Sequence, residues 1–221
     1  MQNCPGLFLM PIFKHDIQLD CEEMPNQRLI EGREKDVLLV LGSGQNVFED
    51  IAQAEALLKR EDIQYDVMAC NLSFLAYNGH VLHLVSVHPE RLLYFYELAK
   101  LLPEQRMAHI YTHSFMLCDG IQYAWPIANQ EGTSAMFCVK VGLLLGYKKI
   151  IVCGVPLAGS RRFYDNPNQE FINNFSCPAI EHAWREWHKT EAFQKNVRSM
   201  SGKSAEILGI PDEAWLRAPS L

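Results

Sequence analysis

Small and polar residues stand directly after several apolar segments of this sequence. Gly42, Ser43 and Gly44 follow the apolar run 37–41 and precede a helical pattern. Such a turn can bring backbone N–H groups close to a phosphate, with the positive end of the following helix behind it. It lacks the third glycine of the dinucleotide fingerprint and the Lys-Ser/Thr of a P-loop, which argues against ordinary NAD binding or ATP hydrolysis. A tight turn without a ligand is the competing interpretation.

Two further polar steps could contribute to the same kind of site. Asn71 follows the apolar segment 65–70, and its amide can both donate and accept hydrogen bonds, as recognition of a base or sugar requires. Gly132, Thr133 and Ser134 precede a long apolar segment, where free N–H groups and two hydroxyls would make a second anion or sugar site. Helix capping explains both steps equally well. Because three such turns occur together, the sequence favours a nucleotide pocket.

The chain contains eight histidines, but no HExxH or other close ligand spacing, so no metal site is predicted. His88 comes directly after a predicted strand and is placed at the pocket rim, where histidine is the natural general base. His182 and Arg185 are three residues apart and share one face of a predicted helix, while His188 lies more than one and a half turns beyond His182. A surface helix that buries only its tryptophans is the alternative.

Helices and strands must bring these residues together. The apolar segments predict a Rossmann-like α/β fold, which is a three-layer sandwich with a mostly parallel sheet. Continuous apolar runs are typical of strands that are covered on both faces. Strands alternating with helices of ten or more residues indicate a parallel sheet. The strands are predicted at 36–42, 65–70, 81–87, 109–112, 149–153 and 196–200, and the longer helices at 47–60, 90–102 and 135–145. Ligands of such sheets bind outside the carboxyl ends of the strands, so the polar turns should meet there.

Length and composition fit one folded domain with a short extension. The chain has 221 residues, of which 48% are hydrophobic and 21% charged, which excludes wholesale disorder. Residues 1–35 are predicted to form an N-terminal arm. Residues 36–221 are predicted to form the nucleotide-binding domain, with a helical and loop lid over about 158–195.

The charge and cysteine content bear on partners and location. A formal net charge of −6 provides no global basic surface for nucleic acid or an anionic membrane. Seven cysteines without a CxxC pair favour reduced thiols in a cytoplasm. The apolar stretch within residues 1–13 contains two prolines, lacks a basic start and is too short to cross a bilayer, so no export signal or membrane span is predicted. A homo-oligomer is compatible with these features.

Three segments, taken together, resemble one set of Rossmann-like proteins. They are the run 37–44, the Cys70-Asn71 step and the stretch 132–155. The set joins bacterial CMP-sialic-acid-dependent sialyltransferases of the single-domain type, archaeal hydroxymethylpterin diphosphokinase-like proteins and short phage-encoded relatives. The resemblance covers about residues 36–157, and the steps 86–90 and 197–202 look most like the phage-type relatives.

The resemblance implies a nucleotide-dependent transferase, glycosyltransferase-like, that uses a CMP- or UDP-type sugar as substrate. Tyr164 would contact the phosphate, and His188, or secondly His182, would be the base. The residues implied to line the nucleotide site are Gly42, Ser43, Gly44, Asn71, Thr133 and Ser134. The chain departs from the family's pattern at Ser43, at Glu131-Gly132 and at Pro156. Nucleotide binding is therefore better supported than transfer of sialic acid itself.

Two other functions remain open at this stage. A non-catalytic phage-type assembly or interaction protein would keep the fold without the chemistry, and it would act in the cytoplasm of a bacterial host. A pterin-type diphosphokinase would need Mg²⁺ and therefore carboxylates near the phosphates. The carboxylates that the sequence offers near the rim are Asp119, Glu131 and Asp165.

Overall fold

The computed structural model describes residues 33–103, 110–115, 121–125, 133–159, 161–166 and 178–220. Within these residues, one seven-stranded sheet has the order β5-β4-β3-β2-β1-β6-β7, and every neighbouring pair is parallel. The strands are β1 Val37–Leu41, β2 Tyr65–Cys70, β3 His83–Val85, β4 Tyr111–Ser114, β5 Tyr123–Ala124, β6 Lys149–Cys153 and β7 Val197–Ser199. The predicted Rossmann-like fold with a parallel sheet is confirmed.

Helices cover both faces of this sheet. They are α1 Val47–Arg60, α2 Pro89–Ala99, α3 Ser134–Leu144, α4 Pro178–His188, α5 Glu191–Asn196, α6 Gly202–Leu208 and α7 Glu213–Arg217, with a 3₁₀ helix at Asn71–Ala76. Core residues of α1, α2 and α7 pack on one face, and those of α3, α4, α5 and α6 pack on the other. The three-layer arrangement follows from strands such as β1, whose five residues are all buried.

The order of the strands creates a topological switch point between β1 and β6. From β1 the chain adds β2, β3, β4 and β5 on one side, and it then returns to place β6 and β7 on the other side. The connections that leave the carboxyl ends of β1 and β6 therefore diverge toward opposite halves of the sheet. A crevice opens at such a point, and ligands of open α/β sheets bind there.

The described parts of the predicted arm and lid have structural contacts. Residues 1–32 and 167–177 lie outside the described residues. The N–H groups of Glu34 and Lys35 both donate to Asp66 Oδ2 at 2.9 Å, which anchors the chain before β1. Trp184 of α4 is fully buried in the core on the α3 side, so α4 belongs to the helical layer on that face of the sheet.

A buried chain of hydrogen bonds crosses the sheet on the α3 side. Trp125 Nε1 donates to His113 Nδ1 at 3.0 Å, because an indole N–H can only donate. His113 then carries its proton on Nε2 and donates to His83 Nδ1 at 3.0 Å. His83 Nε2 donates to the Tyr147 hydroxyl at 2.8 Å, and that hydroxyl donates to Asp66 Oδ2 at 2.7 Å. These donor and acceptor roles are consistent only with neutral side chains at His83 and His113.

The buried hydrogen bonds of His83 and His113 should make the stability of the fold sensitive to acid. Burial lowers the pKa of His83 to about 3 and the pKa of His113 well below its usual value. In the unfolded chain both would take up protons near about pH 6.5, so the unfolded state binds more protons below that pH. The free energy of unfolding should be undiminished above about pH 6.5 and should decrease as the pH falls toward about 3. Urea titrations from about pH 7 to about pH 5 measure this slope above the carboxyl range.

The variant His113→Gln keeps a donor and an acceptor but cannot take up a proton, so its stability should depend less steeply on pH. The exposed His182, whose side chain is 73% accessible, gives the matched control His182→Gln, which should keep the parent slope. If the free energy of unfolding depends equally on pH in the parent and in His113→Gln, the buried histidine pair is not the cause of the acid sensitivity.

Candidate functional site

A cavity of about 290 Å³ opens at the carboxyl ends of β1, β2, β3 and β6, at the switch point of the sheet. Its wall also includes the first residues of α3, on one face of the sheet, and residues of α2, on the other face. The cavity brings together these predicted site residues: Gly42, Ser43, Gly44, Asn71, His88, Thr133, Ser134 and Tyr164. Gly132 lies outside the described residues.

The glycine turn joins two loops rather than presenting its N–H groups to a ligand. Gly42 N–H donates to Cys153 O at 2.7 Å, and Gly44 N–H donates to Gly154 O at 2.8 Å. A Cβ on Gly42 would lie 2.4 Å from Gly154 O, so only glycine permits this approach. These two glycine N–H groups are therefore already used within the protein, and the role of the turn in a nucleotide site stays a prediction. The side of the turn that faces the cavity still contributes to its wall.

A buried carboxylate stands behind this junction. Asp50 of α1 is 2% exposed, and its Oδ2 accepts hydrogen bonds from Gly154 N–H, Ser201 Oγ and Asn46 Nδ2, each at 2.8 Å. Burial raises the pKa of Asp50, while the hydrogen bonds from Gly154 and Ser201 act in the opposite direction. The carboxylate thus ties α1 to the loop after β6 and to the turn after β7. Sequence reasoning missed it, although a carboxylate on the apolar stripe of α1 was a visible signal.

The segment 161–165 packs against the glycine turn and is joined to it by backbone hydrogen bonds. Gln45 N–H donates to Arg161 O at 3.2 Å, and Phe163 N–H donates to Ser43 O at 2.9 Å. The ring of Phe163 also packs edge-on against Phe48, with 5.4 Å between centroids. Val47 at the start of α1 is buried, whereas Phe48 and Glu49 are exposed. No residue of α1 lies among the described lining residues, so the start of this helix contributes nothing to that wall.

Tyr164 lies at the cavity beside this covering segment. The residue is 37% exposed, and its side chain lies near the Ser43 side chain. Burial raises the pKa of Tyr164, so its hydroxyl keeps its proton at neutral pH. The guanidinium carbon of Arg162 lies 5.8 Å from the centroid of the Tyr164 ring. A phenol hydroxyl and a guanidinium therefore stand together on this side of the cavity.

Asn71 is held in position by a hydroxyl that the sequence analysis did not identify. Its φ of 55° is left-handed, a conformation that asparagine tolerates better than most residues. The fully buried Ser86 donates its hydroxyl to Asn71 Oδ1 at 2.7 Å and accepts from His88 N–H at 3.0 Å. One serine thus positions two cavity residues that are distant in sequence. Because the Asn71 oxygen is engaged, its amide offers N–H donors, one of which contacts Cys70 Sγ at 3.6 Å.

The start of α3 presents donors to the cavity. Thr133 caps the helix, since its Oγ1 accepts from Met136 N–H at 3.4 Å, as the capping interpretation predicts. The N–H groups of Ser134 and Ala135 precede the first intrahelical hydrogen bonds, and both residues line the cavity. The positive end of the α3 dipole is therefore directed at this space.

The charged residues on the described part of the wall are all basic. They are Arg91, Arg161 and Arg162, with His88 beside them, and no Asp or Glu occurs among the described lining residues. His88 Nδ1 lies 3.5 Å from Glu90 Oε1 at the rim. A concentrated positive charge in a chain with a net charge of −6 favours an anionic ligand in this cavity.

The structure does not bring His182, His188 or Arg185 to the described wall of the cavity. His182 is exposed, and Arg185 pairs with Glu181 at 2.7 Å. Burial and the nearby charge of Arg198 lower the pKa of His188. The helix α4 that carries them packs against α5 and α6, beside the β6–β7 half of the sheet. The sequence showed that these residues share a helix, but not where that helix docks.

The described residues contain no group of three or more His, Cys, Asp or Glu side chains that could hold a metal ion. Asp119 and Glu131, two of the carboxylates considered for Mg²⁺, lie outside the described residues. Asp165 accepts the N–H of Arg162 at 2.8 Å. No helix in the described part of the chain is long and apolar enough to cross a membrane.

Comparisons with known proteins found no match to this chain among protein-family models, curated proteins or solved structures. The function is therefore inferred from the geometry and chemistry of the cavity and from the sequence.

The variant Gly42→Ala should destabilise the protein by on the order of 1–3 kcal/mol, because the added methyl group would push two backbone segments apart. Thermal or urea unfolding measures the change. The neighbouring Ser43→Ala removes only a side-chain contact with Tyr164 and should shift stability by less than about 1 kcal/mol. Parent-like stability of Gly42→Ala would contradict the close junction with Gly154.

Proposed function

We propose that this protein is a nucleotide-dependent transferase, glycosyltransferase-like, that binds an activated CMP- or UDP-type sugar in the cavity at the switch point. The observation that carries the proposal is the convergence of three arginines and the positive end of α3 on one concave site of an acidic protein. The segments on which the family resemblance rests, 37–44, 70–71 and 132–155, contribute residues to the described part of this same wall.

The polar groups suggest how such a ligand would lie. The N–H groups of Ser134 and Ala135, with Arg162 nearby, suit a phosphate. Asn71 and Tyr164 offer hydrogen bonds to a base or sugar, and Phe95 supplies an apolar contact surface on the α2 side. Hydrogen-bond donors are therefore concentrated where a phosphate would lie, and an apolar surface lies on the α2 side.

His88 replaces His188 as the proposed base, because it is the histidine on the described part of the wall. It would accept the proton of an acceptor hydroxyl as that oxygen attacks the anomeric carbon of the sugar. The bond between that carbon and the nucleotide oxygen breaks, and its electron pair leaves with the nucleotide. Arginines and helix N–H groups would stabilise the departing charge.

The pterin-type diphosphokinase is less well supported. Phosphoryl transfer from ATP needs Mg²⁺ bound near the phosphates, and the described lining residues include no carboxylate to hold it. A non-catalytic protein that binds a nucleotide would share the cavity and differ only in turnover. Binding and turnover must therefore be measured separately.

Calorimetric titration with CMP, UMP, UDP and the corresponding CMP- and UDP-sugars tests the binding. The variant Asn71→Asp keeps an acceptor for Ser86 and tolerates the left-handed backbone, but adds a negative charge to the wall. We expect it to weaken nucleotide binding by about tenfold or more, because the charge repels phosphate. The variant Gln64→Glu adds the same charge to an exposed site before β2, at the opposite edge of the sheet, and should bind like the parent. Absence of binding to any of these nucleotides at millimolar concentration would refute the proposal.

Release of CMP from a CMP-sugar, or of UDP from a UDP-sugar, with water as acceptor, tests the catalysis. The variant His88→Gln should reduce the rate by about 10²–10⁴-fold while nucleotide binding is retained, because only proton transfer is removed. The variant His188→Gln tests the base that the family resemblance implies. It should leave the release rate and nucleotide binding unchanged. Full activity of His88→Gln would exclude it as the base, and binding without release in the parent would show that the protein does not transfer the sugar to water.

A further inference from the structure

The cations of the cavity stand on two sides. His88 and Arg91 belong to the α2 side, next to the end of β3, whereas Arg162 lies beside Gly44 at the end of β1. The ends of β1 and β3 are separated by β2 and are therefore about 10 Å apart. The start of α3, which packs over β1, β2 and β6, presents its N–H groups to the space between them.

Two helices begin beside this space, on opposite faces of the sheet. The helix α2 begins at Pro89 directly after His88, which lines the cavity, and α3 begins at Ser134. Each helix has 11 residues, long enough for a developed dipole. One phosphate between α3 and Arg162 would leave the α2 side, with Arg91, without an anionic partner from the ligand.

We propose that the ligand carries two adjacent phosphates, as a nucleoside diphosphate does, and that Arg91 and Arg162 clamp them from opposite sides. This inference rests on the proposed function, and within it selects a UDP-type donor over a CMP-type donor. A guanidinium binds phosphate oxygens through a planar pair of N–H groups, so one arginine suits each phosphate. The protein's own cations then compensate the charge of the diphosphate when it leaves.

Arg91 can reach this position without breaking a strong contact. Its Nε lies 3.9 Å from Glu90 Oε1, and the side chains of both residues are about two thirds exposed. Exposed ion pairs of this kind contribute little to stability, and the arginine side chain is long and flexible. The guanidinium can therefore turn toward a diphosphate that enters the cavity.

Titration of UDP against UMP, each in EDTA and in MgCl₂, tests the clamp. We expect the parent to bind UDP at least about tenfold more tightly than UMP in both solutions. The variant Arg91→Gln should lose this preference, because the affinity for UDP falls while the affinity for UMP stays the same. Arg60 is a matched control: it is 66% exposed, pairs with the adjacent Glu61 at 3.4 Å, and lies at the far end of α1. Arg60→Gln should keep the preference for UDP.

The other outcomes separate this inference from the proposed function. Equal affinity for UDP and UMP would overturn the clamp and leave nucleotide binding intact. A preference for UDP that needs Mg²⁺ would overturn compensation by the arginines, and a loss of UMP binding in Arg91→Gln would overturn its assignment to the second phosphate. Binding of neither nucleotide would overturn the clamp, and it would overturn the proposed function as well if CMP and the sugar conjugates also fail to bind.

Discussion

The hydrogen bonds to the buried carboxylate of Asp50 hold together the part of the fold on which the cavity depends. One oxygen accepts from the loop after β6, from the turn after β7 and from the residue that precedes α1. Without it, buried donors such as Gly154 N–H would lose their partner, at about 1–3 kcal/mol for each unsatisfied group. The carboxylate thus fixes Gly154 against Gly42, and this contact sets the floor of the crevice between β1 and β6.

This junction occupies two N–H groups of the glycine turn that could otherwise meet an anion. The N–H groups of Gly42 and Gly44 join the two loops, and no residue of α1 lines the described cavity wall. The positive end of α3 and the arginines around the cavity remain as sources of compensating charge. A turn that resembles a phosphate loop in sequence is here a structural joint, and phosphate recognition would fall to groups from other elements.

The sequence predicted the fold well because the relevant signals are local. The strands at 65–70 and 149–153 have the predicted bounds, since they are continuous apolar runs between polar ends. The assembly of Ser43, Asn71 and Thr133 at one cavity follows from the rule that parallel strands end at one edge. The two-residue strand β5 is too short to leave a pattern. The partners of Gly42 and the docking position of His188 depend on contacts with distant segments, and no periodicity encodes those.

The hydrogen bonds made within the cavity wall explain what kind of ligand the cavity can accept. The oxygen of Asn71 already accepts from Ser86, and the Thr133 hydroxyl oxygen already accepts from Met136 N–H. The groups directed at the cavity are therefore mainly donors: the Asn71 amide N–H, the first N–H groups of α3 and the guanidinium groups. A wall of donors is complemented by a ligand rich in acceptors and negative charge rather than by an apolar ligand. The same structural hydrogen bonds that fix the wall thus also determine that its chemistry favours an anion.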